Sequence, residues 1–443
     1  MSSAVVVGGG IAGLVSALLL RERFDKVTLV ERDPVCGGLL NSVTNAQGIA
    51  FDFGTHVLSE TGVPALDRLL SASLDPAQWH SFQMIKTGNY FRGRMNRSSP
   101  HIDARSLEPD VFERGFRELM AAPRDAPSTP ANLKSALERK FGATFAAAIC
   151  APALRKQLGA GLEELHAGTP FVPKRLVCAE PAESRRLKQD PFLDARIAFN
   201  SYAEGVSGVR HYYPRAGGIG LWVREFERRL RSAGVTILNG RTVAVVERAG
   251  TRATGVVLDD GARHACDALV WTIAPFLLLK AAGLAPPPAV VKNRPIGLYH
   301  LVFDRAFLDE NHYVTCYDDS LRTFRATLYP NVRDTPGQAP HNCTAEVIAE
   351  GGTDFKALQP LVVEELARMG IVSPLARLLS AEVQVVPAGF PATTLEFMAA
   401  AAAQSVLAAE SMRNALLLGR AKCPPFFTTE VLIEAHSQVS ALS

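Results

Sequence analysis

Apolar residues at the start of the chain follow two different spacings. Residues 4–7 (AVVV) form an uninterrupted apolar run, which is typical of a short strand buried on both faces of a parallel sheet. From 11 to 23 the apolar positions recur at helical spacing, and residues 27–30 (VTLV) form a second β-branched run. The pattern therefore predicts a strand, a helix and a second strand in succession, as at the beginning of a parallel α/β sheet.

Gly8, Gly10 and Gly13 follow the first predicted strand in a G-x-G-x-x-G pattern. Gly8 permits a tight turn, Gly10 lets the backbone approach a pyrophosphate, and Gly13 lets the helix pack closely on the strand. The helix N-terminus supplies free N–H groups, and Glu31, which ends the second strand, can accept hydrogen bonds from a ribose. A turn without a ligand is the alternative. The order of strand, glycines, helix, strand and acid favours a dinucleotide site in a Rossmann-type fold.

The later parts of the chain also show regular patterns. Helical spacing fills much of 108–165, and a proline turn with glycines leads into a further helix within 211–230. Strand-like alternation with Asn-Gly and Asp-Gly turns spans 235–275. Three more strand-like runs are 297–303, 324–330 and 344–350. The fold class predicted is α/β, with long inserts of mixed α+β structure between the parts of the Rossmann-type sheet.

Composition narrows the classes of function. The 443 residues are 47% hydrophobic and carry a net charge of only +3, so we expect no nucleic-acid partner. The sequence contains no run of about 20 uncharged apolar residues, so we expect no membrane span. The seven cysteines form no CxxC and no zinc spacing, so we expect no metal site and reduced thiols. With no signal peptide recognised, we expect a cytoplasmic protein that acts on a small molecule; the oligomeric state stays open.

A second glycine pair indicates which dinucleotide binds. Gly37-Gly38 follows Glu31, and the loop Phe51-Asp52-Phe53-Gly54 with His56 comes next. These motifs resemble the flavoprotein amine oxidase superfamily, which includes protoporphyrinogen oxidases, phytoene desaturases and UDP-galactopyranose mutases. The resemblance implies FAD as cofactor, with the glycine pair along the FAD and the His56 loop near its isoalloxazine ring. A glycine pair lets backbone N–H groups approach phosphates or the flavin ring without obstruction.

The resemblance extends to the end of the chain. HYYPRAGG (211–218) is similar to a turn before the second part of the FAD domain, and Gly419-Arg420 is similar to its closing element. The resemblance implies a FAD-binding domain built from three segments and a substrate-binding domain built from two. The FAD-binding segments are 1–60, 206–290 and 385–443, and the substrate-binding segments are 61–205 and 291–384.

The cofactor contacts implied by the resemblance come from all three FAD segments. They are Gly8, Gly10, Ile11, Ala12, Gly13, Glu31, Arg32, Gly37, Gly38, Leu39, Gly54, Thr55, His56, Val243, Gly419 and Arg420.

Three functions remain open within this resemblance. The first is an FAD-dependent oxidoreductase that moves a hydride from a sugar nucleotide or a natural-product intermediate to the flavin N5. The second is a mutase that uses reduced FAD as a nucleophile, and the third is a non-catalytic scaffold stabilised by FAD. The mutase-like segments depart from the mutase pattern, because Leu158 replaces a tryptophan and Phe171 replaces an arginine that helps to hold a diphosphate. These departures favour the oxidoreductase.

Candidate catalytic and substrate-binding residues are weaker predictions. His56 and Arg325 are predicted to be catalytic, with Arg325 near the flavin or bound to an anionic substrate group. Arg92 and Arg94, in a basic cluster with aromatic neighbours, and Arg175 are the other predicted substrate contacts. Three of these predictions have a structural alternative: His56 as a loop cap, Arg325 as an outward charge on a strand, and the cluster as a solvated hairpin.

Overall fold

Two large sheets organise the protein in a computed structural model. The residues described are 1–72, 74–124, 129–202, 204 and 208–442. The model alternates helices and strands around one parallel and one largely antiparallel sheet, which confirms the predicted α/β class.

The parallel sheet begins with the predicted strand–helix–strand unit. Ser3–Val7 pairs in parallel with Lys26–Glu31 on one side and with Ala268–Trp271 on the other. Thr236–Asn239 and Ala415–Leu417 complete the sheet at its two edges, also in parallel. Strands from three distant parts of the chain therefore lie side by side, as the sequence predicts.

Both faces of the parallel sheet are covered. Val6 packs into one apolar cluster with helices Ile11–Arg21 and Thr428–Ser440, which contact each other. Val5 and Val7 face the other side, against helices Pro275–Ala281 and Leu395–Ser411. Burial on both faces explains why residues 4–7 are all apolar.

The second sheet has seven strands and unites the two inserts. In spatial order its strands are Leu378–Pro391, Asn293–Phe303, His341–Ile348, Thr323–Leu328, Tyr313–Cys316, Thr87–Phe91 and Arg94–Asn96. All neighbours are antiparallel except Tyr313–Cys316 with Thr87–Phe91. The strand runs predicted in the second insert correspond to three of these strands. The predicted segment boundary at 385 falls inside the first of them, while the division into domains stays a prediction.

Helices dominate the first insert, as the spacing in 108–165 predicts. They are Pro64–Ser71, Pro109–Met120, Leu133–Phe141, Ala143–Phe145, Ala146–Cys150 (a π turn), Ala151–Leu158, Pro181–Leu187 and Pro191–Asp194. Asn132 caps its helix by accepting a hydrogen bond from the Ser135 N–H at 3.0 Å, and Gly159 ends another in the left-handed conformation. Buried Phe141, Phe145 and their neighbours form the separate core of this region.

Shorter elements connect these layers. The remaining strands are Ser42–Thr44, Ala50–Asp52, Leu58–Ser59, Trp79–Phe82, Leu176–Val177, Ile197–Ala198, His211–Pro214, Val243–Ala249, Arg252–Leu258 and Arg263–Ala265. The remaining helices are Gly220–Ser232, Tyr329–Val332 and Gln359–Arg368, with 3-10 turns at Gly38–Leu40, Ala104–Ser106 and Arg420–Lys422.

All seven cysteines are buried and free. Among the described residues, no helix has the length and apolarity needed to cross a membrane, and no cluster of ligating side chains could hold a metal ion. The cytoplasmic location stays a prediction.

Candidate active site

The first glycine turn has the geometry that its sequence predicts. Gly8 has a φ of +99°, and its N–H donates to the Val30 carbonyl at 2.9 Å. A Cβ on Gly13 would lie 1.8 Å from the Gly8 carbonyl oxygen. Glycine is therefore required at Gly8 by conformation and at Gly13 by the close approach of helix and loop.

The N-terminus of helix Ile11–Arg21 is open to a ligand. No side chain caps it, and its first turn holds no acidic residue. A Cβ on Gly10 would meet nothing within 4 Å, and one on Gly38 would meet only the Gly10 Cα at 3.8 Å. The Gly37 N–H donates to the Gly9 carbonyl at 2.8 Å, so the two glycine segments are fixed side by side. Together they form a cradle of backbone that fits a diphosphate.

Glu31 lies at the end of its strand, beside the glycine loop. One carboxylate oxygen accepts from the Gly9 N–H at 2.5 Å, and the other accepts from the Asp33 N–H at 2.8 Å. The Arg241 N–H donates to the Glu31 carbonyl at 2.9 Å, which brings the start of strand Val243–Ala249 to the same place. Glu31 is half-buried, and a carboxylate has lone pairs for further donors, so it fits the predicted ribose contact.

The other predicted residues near this cradle differ in exposure. Ile11 and Leu39 are half-buried and Ala12 is buried, so these apolar side chains support the glycine segments. The Arg32 side chain is 78% exposed and lies 3.3 Å from the Asp33 carboxylate. Arg32 therefore points to solvent, and a cofactor contact through its guanidinium would need a rearrangement.

The predicted closing element returns to the glycine loop. Gly419 has a φ of +87°, and a Cβ there would lie 3.5 Å from the Ala12 Cβ and 3.3 Å from the Thr272 carbonyl. Its N–H donates to Glu434 at 3.1 Å. The half-buried guanidinium of Arg420 has no hydrogen bond or ion pair to the described residues, and burial lowers its pKa. An unpaired, partly desolvated cation at this place fits an anionic group such as a diphosphate.

His56 lies near two arginines from distant segments. Burial is the main cause that lowers the pKa of His56 to about 3, and the charges of Arg325 and Arg420 lower it further. His56 is therefore neutral at physiological pH. The fold thus brings together His56 and Arg325, which are predicted for the flavin end of the site, and Arg420, which is predicted as a contact to another part of the cofactor.

Arg325 is engaged by an acid that sequence reasoning missed. Its Nε lies 2.7 Å from one Glu346 carboxylate oxygen and its Nη2 lies 2.9 Å from the other. Glu346 is only 1% exposed. The Thr55 hydroxyl lies 3.4 Å from the same carboxylate and 2.5 Å from the Thr327 hydroxyl, which fixes the His56 loop to the sheet.

This ion pair bears on both interpretations of Arg325, as a contact to an anionic substrate group and as an outward charge. Arg325 is not an outward charge. However, the two N–H groups with which its guanidinium would bind an anionic substrate already donate to Glu346. The sequence signal for this ion pair was Glu346 in the middle of the apolar strand run 344–350, because an acid in a buried strand requires a cationic partner.

Arg92 and Arg94 lie away from this group. Arg92 is 3.8 Å from the Glu108 carboxylate, and Arg94 lines a separate polar groove of about 460 Å³. The groove lies at the Arg94–Asn96 edge of the seven-stranded sheet, opposite the Leu378–Pro391 edge. The geometry gives no support to their predicted contact with a substrate at the flavin.

Arg175 is used within the first insert. Its guanidinium lies 2.8 Å from Glu204 and 3.4 Å from Asp194. These two carboxylates neutralise its charge, so the structure places Arg175 in a local ion-pair network and not beside His56.

An apolar cavity of about 430 Å³ adjoins Arg420. It lies between the end of strand Ala268–Trp271, the C-terminal segment and the second sheet. Its lining is mostly apolar and includes Leu158, Phe171, Phe276, Phe397 and Phe426, with Asn293, Gln404 and Arg420 among the polar members. Such a cavity suits an apolar ligand with a limited number of polar groups.

Phe171 joins this cavity to the sheet. It packs with Phe53 and Val386 against an apolar cluster made of Ile296, Leu298, Phe324 and Ile348. Phe53 precedes His56 by three residues, and Phe324 precedes Arg325. The Arg325 guanidinium carbon lies 5.5 Å from the centroid of the Phe324 ring, so the apolar floor borders the Arg325 end of the His56–Arg325 group.

Comparison with known proteins identifies relatives over most of the chain. Residues 11–384 match the family described as flavin containing amine oxidoreductase. A phytoene dehydrogenase of Streptomyces griseus is 27% identical over 419 residues, covering 82% of this chain and 77% of the relative. A hydroxyneurosporene desaturase of Cereibacter sphaeroides is 27% identical over 385 residues, covering 78% of this chain and 71% of the relative.

The fold has a counterpart among solved structures. A reduced UDP-galactopyranose mutase superposes with a TM-score of 0.80 at 17% identity, and the match covers 99% of this chain and 93% of the mutase. At this identity the likeness concerns the fold alone.

Proposed function

Because the chain belongs to the flavin containing amine oxidoreductase family and is an FAD-dependent oxidoreductase, we propose that it oxidises an apolar natural-product intermediate. The reaction removes two electrons and two hydrogens from the substrate. When bound, FAD supplies the acceptor for one hydrogen as hydride, while the other leaves as a proton. Of the two substrate classes that the sequence leaves open, the cavity supports the natural product over the sugar nucleotide.

The residues around the glycine cradle fit FAD. Gly10 and Gly38 leave room for the diphosphate, and the helix N-terminus and Arg420 supply donors and positive charge. Glu31, beside the Gly9 N–H, would hold the ribose, and Val243, two residues after the Arg241 N–H that donates to Glu31, would border the adenine.

At the other end of the cofactor, the His56 loop and Arg325 would border the flavin ring. His56 is neutral, so its ring nitrogens can donate one hydrogen bond and accept another without adding charge. The Glu346 carboxylate holds the Arg325 guanidinium in one orientation. The apolar floor would exclude water from the reacting carbon.

The observation that carries the proposal is the apolar cavity beside Arg420 and the His56 group. A diphosphate in this cavity would be desolvated against aromatic rings, with Arg420 as the cation that lines it among the described residues. The two relatives, named as a phytoene dehydrogenase and a hydroxyneurosporene desaturase, support the same substrate class.

A mutase-like reaction on a sugar nucleotide is the second candidate. The fold shared with a reduced UDP-galactopyranose mutase over nearly the whole chain is compatible with it. Phe171 in the cavity wall argues against it, since an aromatic ring there offers a diphosphate no charge partner.

An anaerobic titration of the purified flavoprotein tests the proposal. We expect a linear polyene in detergent to bleach the oxidised flavin band, and UDP-galactose to leave it unchanged. If no apolar compound bleaches the flavin while the dithionite-reduced protein isomerises UDP-galactose, the mutase reaction replaces the proposal. Bleaching by an amine alone would also overturn the proposed substrate class.

A further inference from the structure

Phe171 has a backbone conformation that is rare for a bulky residue. Its φ is +65°, in the left-handed region that favours glycine. Such a conformation persists only where the surroundings impose it, and it is common at ligand-binding sites. The conformation therefore indicates that the position of the Phe171 ring is imposed by the cavity wall.

The Phe171 ring contacts both halves of the cavity. On one side it packs against the apolar floor formed by strands of the second sheet. On the other side its centroid lies 5.1 Å from that of Phe427, with the ring planes at 71° to each other. This edge-to-face contact is the preferred geometry of an aromatic pair.

Phe427 is itself held in place by the start of the last helix. The N–H groups of Phe426 and Phe427 donate to one Glu430 carboxylate oxygen at 3.1 and 3.2 Å. Phe427 remains 38% exposed, so it lies at the rim, while Phe426 and Phe171 line the cavity. Phe427 thus supports the Phe171 ring from the outside.

We propose that Phe171 determines the width of substrate that the cavity accepts, and that Phe427 is the positioning residue that holds its ring. A ring fixed between the floor and the rim leaves space for a narrow apolar chain and excludes a wide, rigid ring system. This inference rests on the proposed function, because it takes the cavity as the substrate site.

Binding of two uncharged probes to the oxidised holoenzyme tests the inference without turnover. Farnesol is the narrow probe and androstenedione is the wide one, and the perturbation of flavin absorbance measures both affinities. We expect the native protein to prefer farnesol. Phe171→Ala and Phe171→Gly should shift the ratio of affinities by about tenfold towards androstenedione, within the range that pocket shape can supply. Phe427→Ala should shift it in the same direction by a smaller factor.

Phe276→Ala is the matched control, because Phe276 also lines the cavity but belongs to helix Pro275–Ala281 and not to the Phe171–Phe427 pair. It should change both affinities alike. Thermal unfolding distinguishes an effect on cavity width from an effect on stability. Both variants lack the ring, but Phe171→Gly should have the higher melting temperature, since glycine tolerates the positive φ. If Phe171→Ala fails to fold, Phe171→Gly still tests the width.

An unchanged affinity ratio in the Phe171 variants would overturn the inference. So would a native protein that binds neither probe although another compound bleaches its flavin; the oxidoreductase proposal would then stand without this cavity. If instead no compound bleaches the flavin but the probe ratio shifts as expected, the inference on width holds and the proposed reaction fails.

Discussion

Single glycines in the cofactor cradle serve two separable purposes. Gly13 is needed by the protein itself, because a Cβ there would overlap the Gly8 carbonyl oxygen. Gly10 is open, so its missing side chain matters only when a ligand approaches. The two positions therefore allow folding and cofactor binding to be tested independently.

We expect Gly10→Ala to weaken FAD binding by about tenfold or more, since its methyl group projects into the cradle. The stability of the apoprotein should fall by no more than about 1 kcal/mol, the range for a change at a helix N-cap. Gly13→Ala should destabilise the apoprotein by about 3 kcal/mol, because the overlap forces the backbone to move. FAD titration and urea unfolding of both variants measure the contrast; equal effects on both quantities would contradict it.

The Arg325–Glu346 pair gives a second expectation at this scale. Glu346→Gln leaves a partly buried guanidinium without its counter-charge and should cost about 3 kcal/mol of unfolding free energy. Replacing both residues, Arg325→Met with Glu346→Leu, should cost less than the single change, since no charge is then left unpaired. Urea unfolding of the single and double variants measures this. A double variant as unstable as the sum of the two single changes would show that the residues are not coupled.

At the scale of elements, Asp52 joins three parts of the chain. It ends strand Ala50–Asp52, and its side chain accepts hydrogen bonds from the Tyr213 hydroxyl at 2.7 Å and the Ile219 N–H at 2.9 Å. Ile219 immediately precedes helix Gly220–Ser232. Asp52 thus fixes the start of the His56 loop to helix Gly220–Ser232.

This junction predicts a dependence of stability on pH. Burial raises the pKa of Asp52 from its ordinary value of 3.8 to about 6, although its hydrogen bonds partly oppose the shift. The folded protein therefore holds the proton more tightly than the unfolded chain, and Asp52's contribution to stability falls as pH rises from about 4 to about 6. The loss is about 3 kcal/mol at most. Asp52→Asn should remove this part of the dependence in urea unfolding at several pH values; an identical pH profile would refute the role.

Some elements follow from local sequence and others do not. The strand, glycine turn and helix at 3–21 follow from residues close together in the chain, so their pattern suffices. Glu346 and Arg325 become partners only through the register of two strands, and Phe171 reaches Phe427 across the fold. No local pattern encodes such distant contacts. This explains why the structure gives no support to the substrate contacts predicted for Arg92, Arg94 and Arg175, whereas it has the predicted geometry at the glycines of the first turn.

At the scale of the whole molecule, one apolar cluster is shared by the two sheets. Val302 and Tyr329 from the second sheet region belong to the same apolar cluster as Phe51, Trp222 and Leu14 around the parallel sheet. The Tyr329 hydroxyl also accepts from the Asp52 N–H at 2.8 Å. The halves of the chain are therefore coupled by packing as well as by the site between them.

We accordingly expect the holoprotein to unfold in one transition, with loss of helical circular dichroism and release of flavin fluorescence at the same urea concentration. Because FAD stabilises the folded state to which it binds, each tenfold increase in free FAD above its dissociation constant should add about 1.4 kcal/mol. In the Gly10→Ala variant, the same gain in unfolding free energy should require a higher FAD concentration, and unfolding should still occur in one transition. Two separate transitions would mean that the sheets fold as independent units, and the shared core would then contribute little to their coupling.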